Sequence, residues 1–182
     1  MSRELSKLLP EFREHVEGLL DDCEASGYPM RPFFTVRTPF EQARLWRQSR
    51  STRQIHAKLA ELEAAGASFL AHCIESVGPQ YGRHVTNAIP GFSWHQWGEA
   101  VDCFWLLDGD AEWSTRKKVN GTNGYLNYAI LARDRGLTAG GFWHTFRDWP
   151  HVQWRPESSP RRLYEVGEID RVMEARFGAA EE

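Results

Sequence analysis

The stretch Ser93-Trp94-His95-Gln96-Trp97-Gly98-Glu99-Ala100-Val101-Asp102-Cys103-Phe104-Trp105-Leu106-Leu107 decides the fold. Its second half, 100–107, is an apolar run of strand length and reads as a β-strand. Gly98 ahead of it lets the chain bend before the strand begins. Alternation along a strand then puts Trp105 on the opposite face from Asp102, packed in the core. Asp102 is out of place in such a run. A carboxylate there needs a cation, a metal or several hydrogen bonds to offset its desolvation.

Outward from that strand the order is helices first and strands later. Leu5, Leu8, Leu9, Phe12, Val16, Leu19, Leu20 and Cys23 recur at three- and four-residue steps, which predicts an amphipathic helix ending near Gly27. Pro10 inside that pattern marks a kink or a helix start. Residues 33–36 read as a short buried strand. Thr38-Pro39-Phe40-Glu41 follows as a helix start, with a capping Thr, Pro in the first turn and Glu three residues on. Arg37 therefore falls at a strand end. Helices are expected at 52–65 and 67–77, separated by Gly66 and closed by Gly78-Pro79. Further on come a strand at 151–154, a helix at 125–135 ended by Gly136, a strand at 137–143 and a terminal helix at 169–177. The last few residues are expected to fray. This order favours an α+β fold in one domain, 1–182.

Composition narrows the function classes. The chain has 182 residues, ordinary for one domain, and a formal charge of −3, which makes no global case for nucleic acid or a membrane surface. Aromatic residues reach 13%, and seven of the eight Trp lie between Trp94 and Trp154. Trp suits sites that are apolar at one end and wet at the other. No apolar stretch is long enough to span a bilayer, and Met1-Ser2-Arg3-Glu4-Leu5 has no apolar signal-peptide core. Cys23, Cys73 and Cys103 are dispersed with no C-x-x-C pair, which suggests reduced thiols and synthesis in a reducing compartment.

Two segments concentrate the groups that can do chemistry. Ser93–Asp102 holds His95 and Asp102, and Asp148-Trp149-Pro150-His151-Val152-Gln153-Trp154 holds Asp148 and His151. Two imidazoles and one carboxylate leave a fourth position open, the arrangement of a catalytic zinc site. A second carboxylate beside such a metal can take a proton from water and deliver it to a leaving amine. By spacing alone this is only a suggestion. Any single His here is more often a packed or surface residue than a ligand. That reading covers His15, His56, His72, His84 and His144.

Ser93-x-His95-x-x-Gly98-x-Ala100-x-Asp102 followed by Asp148-x-x-His151 resembles the paired motif of a zinc peptidase family. That family contains the D-alanyl-D-alanine carboxypeptidases and dipeptidases and the L-alanyl-D-glutamate endopeptidases of phage endolysins. Val85-Thr86-Asn87-Ala88-x-Pro90-Gly91, Gly140-Gly141-Phe142-Trp143 and Arg37-Thr38-x-x-x-Gln42 add to the resemblance, which runs from about Phe33 to Trp154. It implies a small antiparallel sheet carrying the zinc site, packed with N-terminal and flanking helices. It also implies one zinc ion held by His95, Asp102 and His151, with Asp148 as the catalytic carboxylate. Many carboxypeptidase members supply Glu at that last position, so the Asp form looks closer to the endolysin branch. Arg37 matches an arginine that binds or polarises the scissile region. Ser93, Gln42, Trp94, Trp97 and Trp149 are the candidates for substrate contact.

The function that the resemblance implies is hydrolysis of the peptide stem of peptidoglycan, at the L-alanyl-D-glutamate bond. A D-alanyl-D-alanine carboxypeptidase is the alternative with the same chemistry. A non-catalytic wall-binding module is the alternative of another class, since exposed Trp stack on sugars. A structural zinc domain is weaker, because such sites normally close with four protein ligands, often Cys. The expected partner is the stem peptide alone, with no nucleic acid, no membrane insertion, no separate wall-binding domain and a monomeric state. The expected setting is synthesis in the cytoplasm and action on the wall after release by a phage lysis system.

Overall fold

A computed structural model describes residues 2–181. The chain divides into two compact units, one formed by residues up to Val36 with Trp97–Pro156, the other by Arg37–Gln96 with the chain from Glu157 onward.

In the first unit, a 3-10 turn at Leu5–Lys7 precedes α1 (Pro10–Ala25). Pro10 starts this helix rather than kinking it, because the first helical position has no N–H partner to lose. Phe12, Val16, Leu19 and Cys23 form its buried stripe. The sheet comprises β1 (Met30–Phe34), β2 (Ala100–Leu107), β3 (Asp110–Glu112), β4 (Thr138–Ala139) and β5 (His151–Gln153). All pairings are antiparallel, in the order β1-β2-β5-β4, with β3 on the end of β2.

Strand β1 begins three residues before the expected 33–36 and ends two residues short of its end. It is an edge strand, so Pro32 is tolerated within it, and the pairing with β2 breaks register between Pro32 and Phe34. Thr35 and Val36 are buried as expected, but beyond the strand. The strand expected at 137–143 is cut to β4, because Gly140–Phe142 turns into a 3-10 helix.

The second unit is helical, with α2 (Pro39–Arg47), α3 (Thr52–Ala64), α4 (Ser68–Ser76) and the first residues of the short α5 (Trp94–Trp97). The expected capping box is present on α2: Thr38 Oγ1 accepts from Glu41 N at 3.2 Å, and Glu41 Oε2 accepts from Thr38 N at 2.8 Å. In the first unit, α6 (Gly124–Asp134) is capped by Asn123, whose Oδ1 accepts from the Tyr125 amide at 3.0 Å. The last helix of the second unit, α7 (Val166–Phe177), supplies Asp170, which is buried and accepts from Leu70 N in the first turn of α4 at 2.8 Å. A 3-10 turn at Gly178–Glu181 follows. The expected fraying concerns Glu182 and neighbouring side chains, outside the described residues.

The core of the first unit is one apolar cluster. Phe12, Val16 and Leu19 of α1 meet Val101, Cys103 and Trp105 of β2, Val152 of β5, and Tyr125, Tyr128 and Ala132 of α6. Trp105 is 1% exposed and lies on the core face, as alternation from Asp102 requires.

Candidate metal centre

Strands β2 and β5 pair so that Val101 lies opposite Val152, Asp102 opposite His151, and Ala100 opposite Gln153. The valine pair belongs to the apolar cluster. Because side chains alternate, the Asp102–His151 and Ala100–Gln153 pairs share the other face. Asp102 and His151, 49 residues apart in sequence, thereby come within hydrogen-bond distance, with Oδ1 3.0 Å from Nδ1. His95 stands on α5. Gly98, with φ +73°, turns the chain from that helix into β2 through a conformation few other residues adopt. His95, Asp102 and His151 each offer a ligand atom, all within 4.8 Å of one another. His95 and His151 are buried and Asp102 is half-buried.

The electrostatics of His151 suit a cation at this spot. Burial works against a charged ring, but the Asp102 hydrogen bond and charge outweigh it, helped by the charge of Asp148 and the Gln153 hydrogen bond. The ring is therefore held above its ordinary pKa. Two imidazoles and a carboxylate, buried and convergent, form a donor set that fits zinc.

Asp148 is set by a tight turn. Its amide donates to Gly140 O at 3.0 Å, and its carbonyl accepts from His151 N at 3.2 Å. A Cβ on Gly140 would lie 2.5 Å from Asp148 O and 3.2 Å from His151 Cβ, so only glycine lets the two segments approach this closely. Gly141 likewise sits under the Trp149 ring, where a Cβ would meet Cε3 at 2.5 Å. This close approach explains why 137–143 does not run on as a strand.

Arg37 follows β1 and is half-buried. Its amide donates to His95 O at 3.4 Å, and its Nη1 donates to Gln42 Oε1 at 2.9 Å. Gln42 is fully buried. It also accepts from Gln96 Nε2 at 3.2 Å and donates to Ala88 O at 2.7 Å. Ser93 N donates to Gln96 Oε1 at 3.2 Å. Trp94 is 1% exposed, with its indole donating to Glu157 O at 2.7 Å, whereas Trp97 and Trp149 are half-buried. His144 is exposed, and His84 pairs with Arg50 at 2.6 Å. All three cysteines are buried and none is in a disulfide.

Four polar residues near this site do not stand out in the sequence reading: Gln96, Glu99, Gln153 and Arg155. Gln153 had a usable signal, since it lies two residues after His151 and a strand returns it to the same face. Glu99 and Arg155, joined by a 2.5 Å ion pair, had none.

Comparison with known proteins bears on this geometry. A family model described as VanY, D-alanyl-D-alanine carboxypeptidase, matches residues 5–124, about two thirds of the chain. The chain belongs to this family. Its match to the peptidoglycan L-alanyl-D-glutamate endopeptidase CwlK of Bacillus subtilis strain 168 is 33% identical over 78 residues, 41% of this chain. The chain spans about half the length of that curated relative, 47%. Among solved structures, the Serratia marcescens L-Ala D-Glu endopeptidase ChiX is similar with a TM-score of 0.44 and 21% identity, covering 82% of this chain and 81% of that one. A variant of the vancomycin-resistance D,D-pentapeptidase VanY, in complex with Zn(II), gives a TM-score of 0.41 and 20% identity over 80% and 71% of the two chains. Among the described residues, no helix is long and apolar enough to cross a membrane.

Proposed function

We propose that this family member is a zinc-dependent peptidase that hydrolyses the peptide stem of bacterial peptidoglycan at the L-alanyl-D-glutamate bond. The convergence of His95, Asp102 and His151 is the observation that carries it. The three side chains would hold one zinc ion and leave a position open. When bound, zinc supplies a Lewis acid that acidifies water and polarises a carbonyl. Asp148 accepts the proton of the attacking water and returns it to the departing amine. Arg37, held by Gln42, offers guanidinium donors to the developing oxyanion, an effect worth a few kcal/mol per donor, typically about 3. Trp97 and Trp149, both half-buried, are the stronger candidates for walls against the stem peptide. Release in a phage-type lysis is the setting that fits this substrate, and a holin gene beside this one would support it.

The bond is chosen on the likeness to the endopeptidase CwlK. The family description favours a second reading, removal of terminal D-alanine. Digestion of purified sacculi by the zinc-loaded protein separates the two. New amino-terminal D-glutamate, found by mass spectrometry, supports the endopeptidase. Release of free D-alanine alone supports the carboxypeptidase. Tight binding with nothing released overturns both in favour of a binding module.

A further inference from the structure

We infer that Gln153 is a positioning residue for the metal centre, keeping a proton on Nε2 of the His151 ring so that Nδ1 is the nitrogen that meets the metal. The inference rests on the metal-site reading above and follows from hydrogen-bond roles. A backbone carbonyl can only accept, so the Gln153 group 2.6 Å from Arg155 O is the amide nitrogen. The other end of the same amide, Oε1, then faces His151 Nε2 at 3.0 Å. An amide oxygen also can only accept, so Nε2 must carry a proton. Nδ1 faces Asp102 Oδ1 at 3.0 Å inside the candidate ligand group, so without a metal it donates to that carboxylate, and its proton is the one a metal would displace. Turning the amide over would set its oxygen against the Arg155 carbonyl oxygen. Gln153 is 1% exposed, so water is poorly placed to relieve that clash.

The start of this relay is anchored. Arg155 makes a two-pronged bond to Glu99, with Nε at 2.5 Å from Oε2 and Nη2 at 3.3 Å from Oε1, and Glu99 is only 4% exposed. Trp154 N donates to Glu99 O at 2.9 Å, fixing the backbone just before the Arg155 carbonyl. The direction therefore runs from a pinned carbonyl, through one amide, to the choice of ring nitrogen. Partners of this kind commonly carry about 10–100-fold in metal affinity.

The test uses zinc titration against a chromophoric chelator, together with long-range proton–nitrogen NMR of the zinc-loaded full chain. Wild type should bind zinc through His151 Nδ1 with the proton on Nε2. Gln153→Met, similar in volume but without an acceptor, should lose about 10–100-fold in zinc affinity. Gln153→Glu keeps an oxygen toward Nε2 but sets its other oxygen against the Arg155 carbonyl, so it should recover only part of the affinity that Gln153→Met loses. Far-UV circular dichroism of the metal-free variants checks that each is folded, and the rescue by Glu is a result that lost packing would not produce. Coordination through Nε2, or a folded Gln153→Met with unchanged affinity, overturns the inference while leaving the metal site standing. Wild type whose zinc binding is indifferent to His95→Ala and Asp102→Ala overturns the metal-site reading, and the inference with it.

Discussion

The two faces of the β2–β5 pair differ by one residue in sequence and by nearly everything in chemistry. On one face, Val101, Cys103, Trp105 and Val152 join an apolar cluster under α1 and α6. On the other, Asp102 meets His151 and Ala100 lies opposite Gln153. Burial pushes the Cys103 thiol up to about 12, so it stays an inert thiol. One step along each strand, the same backbone holds an imidazole whose neighbours favour its charged form. Packing on the first face makes the sheet rigid, and rigidity lets the second face hold polar groups in a fixed arrangement.

The largest expected effects lie on the polar face. Asp102→Ala or His151→Ala should abolish stoichiometric zinc binding and, with it, stem-peptide hydrolysis, measured by elemental analysis and sacculus digestion. Asp148→Ala should keep zinc and lose about 10²–10⁴-fold in hydrolysis, the usual worth of a general acid–base group. Equal zinc loss in that variant would make Asp148 a ligand and merge the two roles.

The core face should show the reverse pattern. Trp105→Ala removes a side chain that is 1% exposed and should cost about 3–5 kcal/mol in a urea melt. Its zinc affinity, measured where the variant is still folded, should change little. A large zinc effect with a small stability effect would mean that the two faces are not separable.

Thiol chemistry tests the same division with less perturbation. Burial pushes Cys23 as well as Cys103 to about 12. A thiol-exchange dye should therefore label neither in the native protein at neutral pH and both in urea. Rapid native labelling of Cys103 would mean that the apolar face opens.

The smallest expected effect comes from the rim of that core, where Arg135 of the turn after α6 reaches Asp22 of α1 at 2.6 Å. The Arg135 hydrogen bond holds the Asp22 carboxyl below its usual range. A lowered folded-state value means that the stabilisation is present above the ordinary carboxylate pKa and is lost as pH falls through the lowered one. The stability gap between wild type and Asp22→Asn should thus be flat near neutrality and close on acidification. An unchanged gap at low pH would show that the pair contributes through packing rather than charge.

Legibility in the sequence followed the range of the interactions. The α2 start was legible because its capping box lies within four residues, Thr38 to Glu41. The bounds of β2 were legible because one apolar run fills it from end to end. Strand β1 starts three residues earlier than its local pattern indicates because its register depends on β2, about seventy positions away. Residues 137–143 looked like a strand because Gly140 and Gly141 show their purpose only once Asp148 and Trp149 press against them. Trp94 resembled a cleft residue because its neighbour His95 is a candidate ligand, yet its ring is buried with its N–H on the Glu157 carbonyl.

By itself, the sequence determined the donor types, the glycine turn that feeds β2 and the alternation that separates Asp102 from Trp105. Those are local properties, set by backbone conformation and a period of two. The tertiary structure alone decided that Asp102 faces His151, that Gly140 admits Asp148, and that Gln153 presents oxygen rather than nitrogen to the ring. Each of these depends on which strand lies opposite and in what register. That choice comes from burying the valine face as a whole, and no short stretch of chain encodes it.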